Sequence, residues 1–98
     1  MTINTKTEGG KLTISLAGRL DAGAAPQLEK VLKEKLRGVT ELEMDFEQLA
    51  YIASAGLRVL LAAMKIMRKQ GSMVVCSPNE TVMEVLEITG FADMLTIR

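Results

Sequence analysis

Asp45-Phe46-Glu47-Gln48-Leu49-Ala50-Tyr51-Ile52-Ala53-Ser54-Ala55-Gly56-Leu57 is the stretch on which the fold of this chain turns. Its front end closes a run, Leu42, Met44 and Phe46, in which apolar and polar residues alternate with the period of a half-buried strand. Its far end opens another, Leu57, Leu60, Leu61 and Met64, spaced as one face of a helix. The spacing predicts a strand ending near Phe46, a short loop, and a helix over about 55–69. The last turn of that helix carries Lys65, Arg68 and Lys69, where cations suit the dipole, and Gly71 ends it. At the junction Ser54 has two readings. Its hydroxyl can cap the helix by accepting a free backbone N–H. Alternatively, the same N–H groups and the positive dipole end would tolerate a phosphate on Ser54, which adds about −1.5 to −2 charges and changes the surface sharply. Gly56 in the first turn costs about 0.5–1 kcal/mol against alanine. That cost predicts a compensating close approach, by another chain or by a phosphate.

Outward from this junction, residues 2–7 are rich in β-branched types and predict an edge strand. Glu8-Gly9-Gly10-Lys11 reads as a hairpin turn into a second strand, in which Leu12, Ile14 and Leu16 alternate with polar neighbours. Gly18 to Gly23 breaks the pattern and predicts a loop. Leu28, Val31, Leu32 and Leu36 then mark an amphipathic helix, with Pro26 in its first turn and Gly38 as its stop. Beyond Gly71, Met73-Val74-Val75-Cys76 predicts a short strand buried on both faces. Ser77-Pro78-Asn79 opens a third helix with Val82, Val85, Leu86 and Thr89 inward, ended by Gly90, and a short closing turn or edge strand follows from Phe91. The order β-β-α-β-α-β-α predicts an α/β fold in one domain over residues 1–98. Its mixed sheet combines an N-terminal hairpin with parallel strands, and helices pack on it through right-handed crossovers.

Composition narrows the function. Twelve basic residues balance twelve acidic ones, so no overall field draws the chain onto nucleic acid or an anionic membrane. With no histidine and one cysteine, the chain lacks the commonest general base, a cysteine-cluster zinc site and an internal disulfide. Three aromatics are too few for base-stacking surfaces. No phosphate-cradling Gly-x-x-x-x-Gly-Lys-Ser/Thr loop occurs, which disfavours a nucleotide-hydrolysing role. No apolar run approaches the ~20 residues needed to span a bilayer, and Met1 to Lys11 is polar. These features predict a cytoplasmic regulatory or binding module without metal or cofactor rather than an enzyme, a monomer or weak dimer.

Separated elements in one order along the chain resemble one family. Gly18-Arg19-Leu20-Asp21 is similar to its Gly-Glu/Arg-Leu-Asp element. Asp45-Phe46, Leu49, Tyr51-Ile52 and Ala53-Ser54-Ala55-Gly56-Leu57 resemble its signature, with Ala53 where the family usually has Asp. Met73-Val74-Val75-Cys76-Ser77-Pro78 and Ile88-Thr89-Gly90-Phe91 match its later strand and closing helix. The chain thereby resembles, over essentially its whole length, a STAS domain of the bacterial anti-sigma-factor antagonists. That resemblance implies that Ser54 is phosphorylated by a serine kinase that doubles as anti-sigma factor. The unphosphorylated form would bind this kinase and release the sigma factor, and a PP2C-type phosphatase would restore the serine. The partner surface would comprise Asp21, Ala53, Ser54, Ala55, Gly56, Leu57 and Arg58. A STAS subunit of a lipid-transport ABC system is the alternative.

Single residues keep two readings each. Asp21 either lines the partner surface or caps the helix that begins near Ala24. Arg58 either pairs with an acidic partner or phosphate or is an ordinary solvated charge. The methionines either form an adaptable docking face, with Met67 and Met94 as surface candidates, or fill the core. Cys76 reads as either packing or a redox sensor, packing being the commoner role at the end of a buried strand.

Overall fold

A computed structural model describes residues 1–98. The elements in chain order are β1 (Thr2–Glu8), β2 (Lys11–Leu20), α1 (Ala25–Lys35), β3 (Glu41–Ile52), α2 (Ser54–Gln70), β4 (Ser72–Cys76), α3 (Glu80–Ile88), α4 (Phe91–Met94) and β5 (Thr96–Ile97). The strands lie in the order β1-β2-β3-β4-β5. β1 runs antiparallel to β2, Glu8 opposite Lys11 across the Gly9-Gly10 turn, in which Gly9 takes a φ of +59°. The remaining neighbours pair in parallel. The predicted β-β-α-β-α-β-α order is present, and the closing segment resolves into the one-turn α4 and the two-residue edge strand β5.

Parallel strands laid down in sequence order by crossovers of one hand carry their helices on one face, and burial follows that rule. In β2 and β3, Leu12, Ile14, Leu16, Leu42, Met44 and Phe46 are buried, while Thr13, Ser15, Glu43 and Asp45 between them are half-buried on the other face. Twenty-five buried apolar side chains make one cluster, into which α1 sends Leu28 and Leu32, α2 sends Leu60, Met64 and Met67, and α3 sends Val82 and Leu86. Because one face is bare, β4 is not buried on both sides: only Val75 in it is fully enclosed. Met67, expected at the surface, is in the core at 1% exposure, seven residues after Leu60 on the same helix face, while Met94 is outside at 46%. Thr89 is exposed, not inward, and its hydroxyl donates to the Val85 carbonyl at 2.7 Å.

The sharpest departure from expectation lies beside the junction. β3 does not end near Phe46 but continues to Ile52, and β2 continues through Gly18 and Arg19 to Leu20. Two register shifts explain both. Ser15 faces Asp45 but Ala17 faces Gln48, and Gly18 faces Leu49 but Arg19 faces Tyr51. Each shift adds one residue to β3, so its buried side chains fall at Phe46, Leu49 and Ile52, three apart instead of two. The Glu47 N–H, inside the first bulge, donates to Asp45 Oδ1 at 3.0 Å. Gly18, beside the second, takes a φ of +105° that other residues rarely adopt.

Candidate functional site

The two central strands finish side by side. Leu20 pairs with Ile52, and the Ala53 N–H donates to the Leu20 carbonyl at 2.9 Å. Ala53 alone separates β3 from α2. It occupies the N-cap position with extended backbone (φ −100°, ψ 173°), and its carbonyl accepts the Leu57 N–H at 3.0 Å. Ser54 is therefore the first residue of the helix, one earlier than the spacing predicts, and it is not the cap. Only the extended N-cap residue aims a side chain at the free N–H groups of the first turn, and at Ala53 that side chain is a methyl. Ser54 is exposed, and its hydroxyl makes no hydrogen bond.

Gly56 is buried, and a Cβ there would run into Leu20 and Ile52. The close approach that its presence predicts is thus made by the chain's own strand ends, not by a second chain or a phosphate. Leu57 also turns into the core, at 8% exposure. Of the residues expected to meet a partner, Ser54 and Arg58 are exposed and Ala53 and Ala55 half-buried, whereas Gly56 and Leu57 seat the helix on the sheet.

Asp21 follows Leu20 and so leaves the sheet at the same end as Ser54. Its Oδ1 accepts the Ala24 N–H at 3.0 Å, and its carbonyl accepts the Ala24 and Ala25 N–H groups at 3.2 and 2.9 Å. The capping reading of Asp21 is therefore the one seen in its contacts. Between the first turns of α1 and α2 lies an open groove of about 210 Å³, bordered by Ala22, Ala25, Pro26 and Glu29 on one side and Ala55, Arg58 and Val59 on the other. The sequence marks Pro26 only as a helix-start residue and does not place Ala22, Pro26 or Glu29 at the site. The available signal was the run of small residues at both helix starts, which lets α1 and α2 approach.

The charges around the site are simple. Among the ion pairs, Lys6–Glu8, Lys11–Glu43 and Lys33–Glu29, none includes Arg58. α2 carries Arg58, Lys65, Arg68 and Lys69 and no acidic residue. On the uncovered sheet face, Arg19 stacks its guanidinium 4.5 Å above the Tyr51 ring, directly across the β2–β3 ladder. Farther along that face the Cys76 thiol donates to Glu43 Oε1 at 3.5 Å. Burial pushes its pKa up, as do the Glu43 hydrogen bond and charge and the charge of Asp45, against an opposing Arg98. No group of three or more His, Cys, Asp or Glu side chains gathers as a metal-binding set. No helix is long and apolar enough to cross a membrane.

Comparison with known proteins follows the same lines. BtrV, a candidate anti-sigma factor antagonist of Bordetella bronchiseptica, is 38% identical over 90 residues, 90% of this chain and 78% of the relative. The anti-sigma-B factor antagonist of Listeria monocytogenes is 30% identical over 90 residues, 89% of this chain and 78% of its own length. The structure of the anti-sigma factor antagonist SpoIIAA in its unphosphorylated form superposes with a TM-score of 0.85 over 99% of this chain and 88% of that one. At 23% identity that likeness is one of fold. The STAS domain family matches residues 2–98, and with the one-faced sheet and the strand-to-helix junction at Ser54 in place, the chain belongs to that family.

Proposed function

We propose that this protein is an anti-sigma-factor antagonist switched at Ser54. Unmodified, it binds an anti-sigma factor that is also a serine kinase, and the sigma factor is released. Phosphorylated at Ser54, it lets the kinase go, and a PP2C-type phosphatase restores it. One observation supports this above the others: Ser54 is exposed, unbonded and placed where a helix starts directly from the end of the central parallel ladder. A hydroxyl committed to capping would have to break a bond to be phosphorylated, and this one has none. A dianion there meets the positive end of a seventeen-residue helix, so the fold survives while the surface inverts in charge. The groove beside it, with Asp21 at the same sheet end, gives a partner purchase on both helices. In this role the chain is acted on and has no catalytic residue of its own. The names of the relatives from Bordetella and Listeria favour it over an assembly role in lipid transport.

The test is incubation with the purified anti-sigma serine kinase of the host and ATP, with the phosphate mapped by mass spectrometry. The expected result is one phosphate, on Ser54. Ser54→Ala should retain kinase binding and Ser54→Asp should weaken it. Failure to bind the kinase, with or without nucleotide, overturns the proposal. If both variants bind alike, Ser54 is not the switch.

A further inference from the structure

We infer that Arg58 is the intramolecular partner of the phosphate on Ser54: once modified, the serine draws the Arg58 guanidinium back onto itself, and the docking face loses a cation as it gains a dianion. The inference rests on the reading of Ser54 as the phospho-acceptor and adds to it a residue that holds the modified state.

Three observations carry it. Ser54 and Arg58 stand four residues apart on α2, both exposed, so they are neighbours along one outward face. Long side chains on a helix lean towards its N-terminus, so an arginine at the fourth position reaches back over the turn that begins at Ser54. Arg58 is uncommitted: it forms no ion pair, and no ring stacks on it. The acidic side chains at this end have contacts of their own. Glu29, across the groove, is held by Lys33 at 3.5 Å, and Asp21 is engaged with the Ala24 N–H. Arg19, another cation at this end, is stacked on Tyr51.

A guanidinium presents planar paired donors that match phosphate oxygens, so the contact is directional and not only a matter of nearby charge. Its consequence for switching is arithmetic. The exposed pair carries +1 before modification. Afterwards it carries about −1, with both ends tied to each other instead of offered to a partner. An acidic or hydrogen-bonding group on the kinase that uses Arg58 in the bound state loses it at the moment of phosphate transfer.

The experiment installs phosphoserine at position 54 of the full chain by genetic-code expansion, so it does not depend on the kinase. The second ionisation of the phosphate is then titrated by 31P NMR in the wild-type, Arg58→Gln and Arg58→Lys backgrounds. Arg58 should favour the dianion, so the midpoint should lie lower in the wild type than in Arg58→Gln by roughly 0.3 unit, about what an exposed one-turn ion pair supplies. Arg58→Lys should restore part of the shift. Equal midpoints in wild type and Arg58→Gln overturn the inference even if the kinase phosphorylates Ser54. A lowered midpoint upholds it even if this kinase proves to be the wrong one.

Discussion

Gly56 and Leu20 meet at a spacing that leaves no room for a methyl group: a Cβ on Gly56 would stand 2.7 Å from Leu20 Cγ and 2.9 Å from its Cδ2, with Ile52 Cγ1 at 3.0 Å behind. The start of α2 is thus pressed onto the ends of the two central strands, and Ser54 is held in place by that contact two residues later. Gly56→Ala should gain about 0.5–1 kcal/mol of helix preference and lose about 1–3 kcal/mol to overpacking. A net fall in Tm of roughly 5–10 °C is expected by calorimetry. An unchanged or raised Tm would show that the strand ends yield. Gly71→Ala, whose Cβ would fall on the Thr40 backbone, should be worse, because a carbonyl cannot rotate out of the way as a leucine can.

Ser54 offers a sharper test because it separates cap from acceptor without a partner. A capping serine replaced by alanine costs about 1 kcal/mol. Here the N-cap is Ala53 and the Ser54 hydroxyl bonds to nothing. Ser54→Ala should therefore change stability by less than about 0.5 kcal/mol in urea denaturation. A loss near the full capping value would mean that the hydroxyl reaches a backbone N–H in solution.

Much of this arrangement is legible in the sequence, and what is not has physical reasons. Gly9-Gly10 between two alternating runs announces its hairpin, and Leu28 and Leu32 announce the buried face of α1. β3 is misread past Phe46 because its two bulges replace a period of two by a period of three, and Leu49 and Ile52 then look like loop residues. Of the two readings of Ser54, the capping one fails for a reason the sequence does not display: capping is decided by one backbone angle pair, and that pair belongs to Ala53. Met67 was within reach, since Leu60, Met64 and Met67 keep helical spacing. Gln70 was not: its partners lie more than thirty residues away and exist only once α1 and α2 have docked.

That glutamine makes the next prediction. Gln70 Nε2 donates to the Leu36 carbonyl at 2.9 Å and to the Val39 carbonyl at 2.7 Å, fastening the end of α2 to the turn between α1 and β3. Gln70→Leu keeps the bulk and leaves both carbonyls without this donor, at a cost of about 1–3 kcal/mol. Gln70→Glu sets a carboxylate against the same two oxygens and should destabilise more at neutral pH than at pH 4, where the acid can donate. Paired thermal melts at the two pH values check both statements. Equal losses at both pH values would mean that the carbonyls find water instead.

Cys76 links the uncovered sheet face to pH. Its pKa is raised by burial, then by the hydrogen bond to Glu43 and the charges of Glu43 and Asp45, while Arg98 opposes and Lys11 stands 3.8 Å from the same Glu43 oxygen. A thiol that holds its proton more tightly in the folded chain than in the unfolded one stabilises the fold fully below the unfolded pKa. That contribution fades as pH rises from about 8.5, the value of an unperturbed cysteine, through the higher folded value. The stability of wild type relative to Cys76→Ala should therefore be flat through neutral pH and decline above it, which denaturant midpoints measured from pH 7 to 10 would reveal. Glu43→Gln removes the neighbouring charge, so the Cys76 thiolate should form at lower pH and react faster with a disulfide reagent at pH 8. If that variant reacts no faster than wild type, exposure and not the carboxylate governs the thiol.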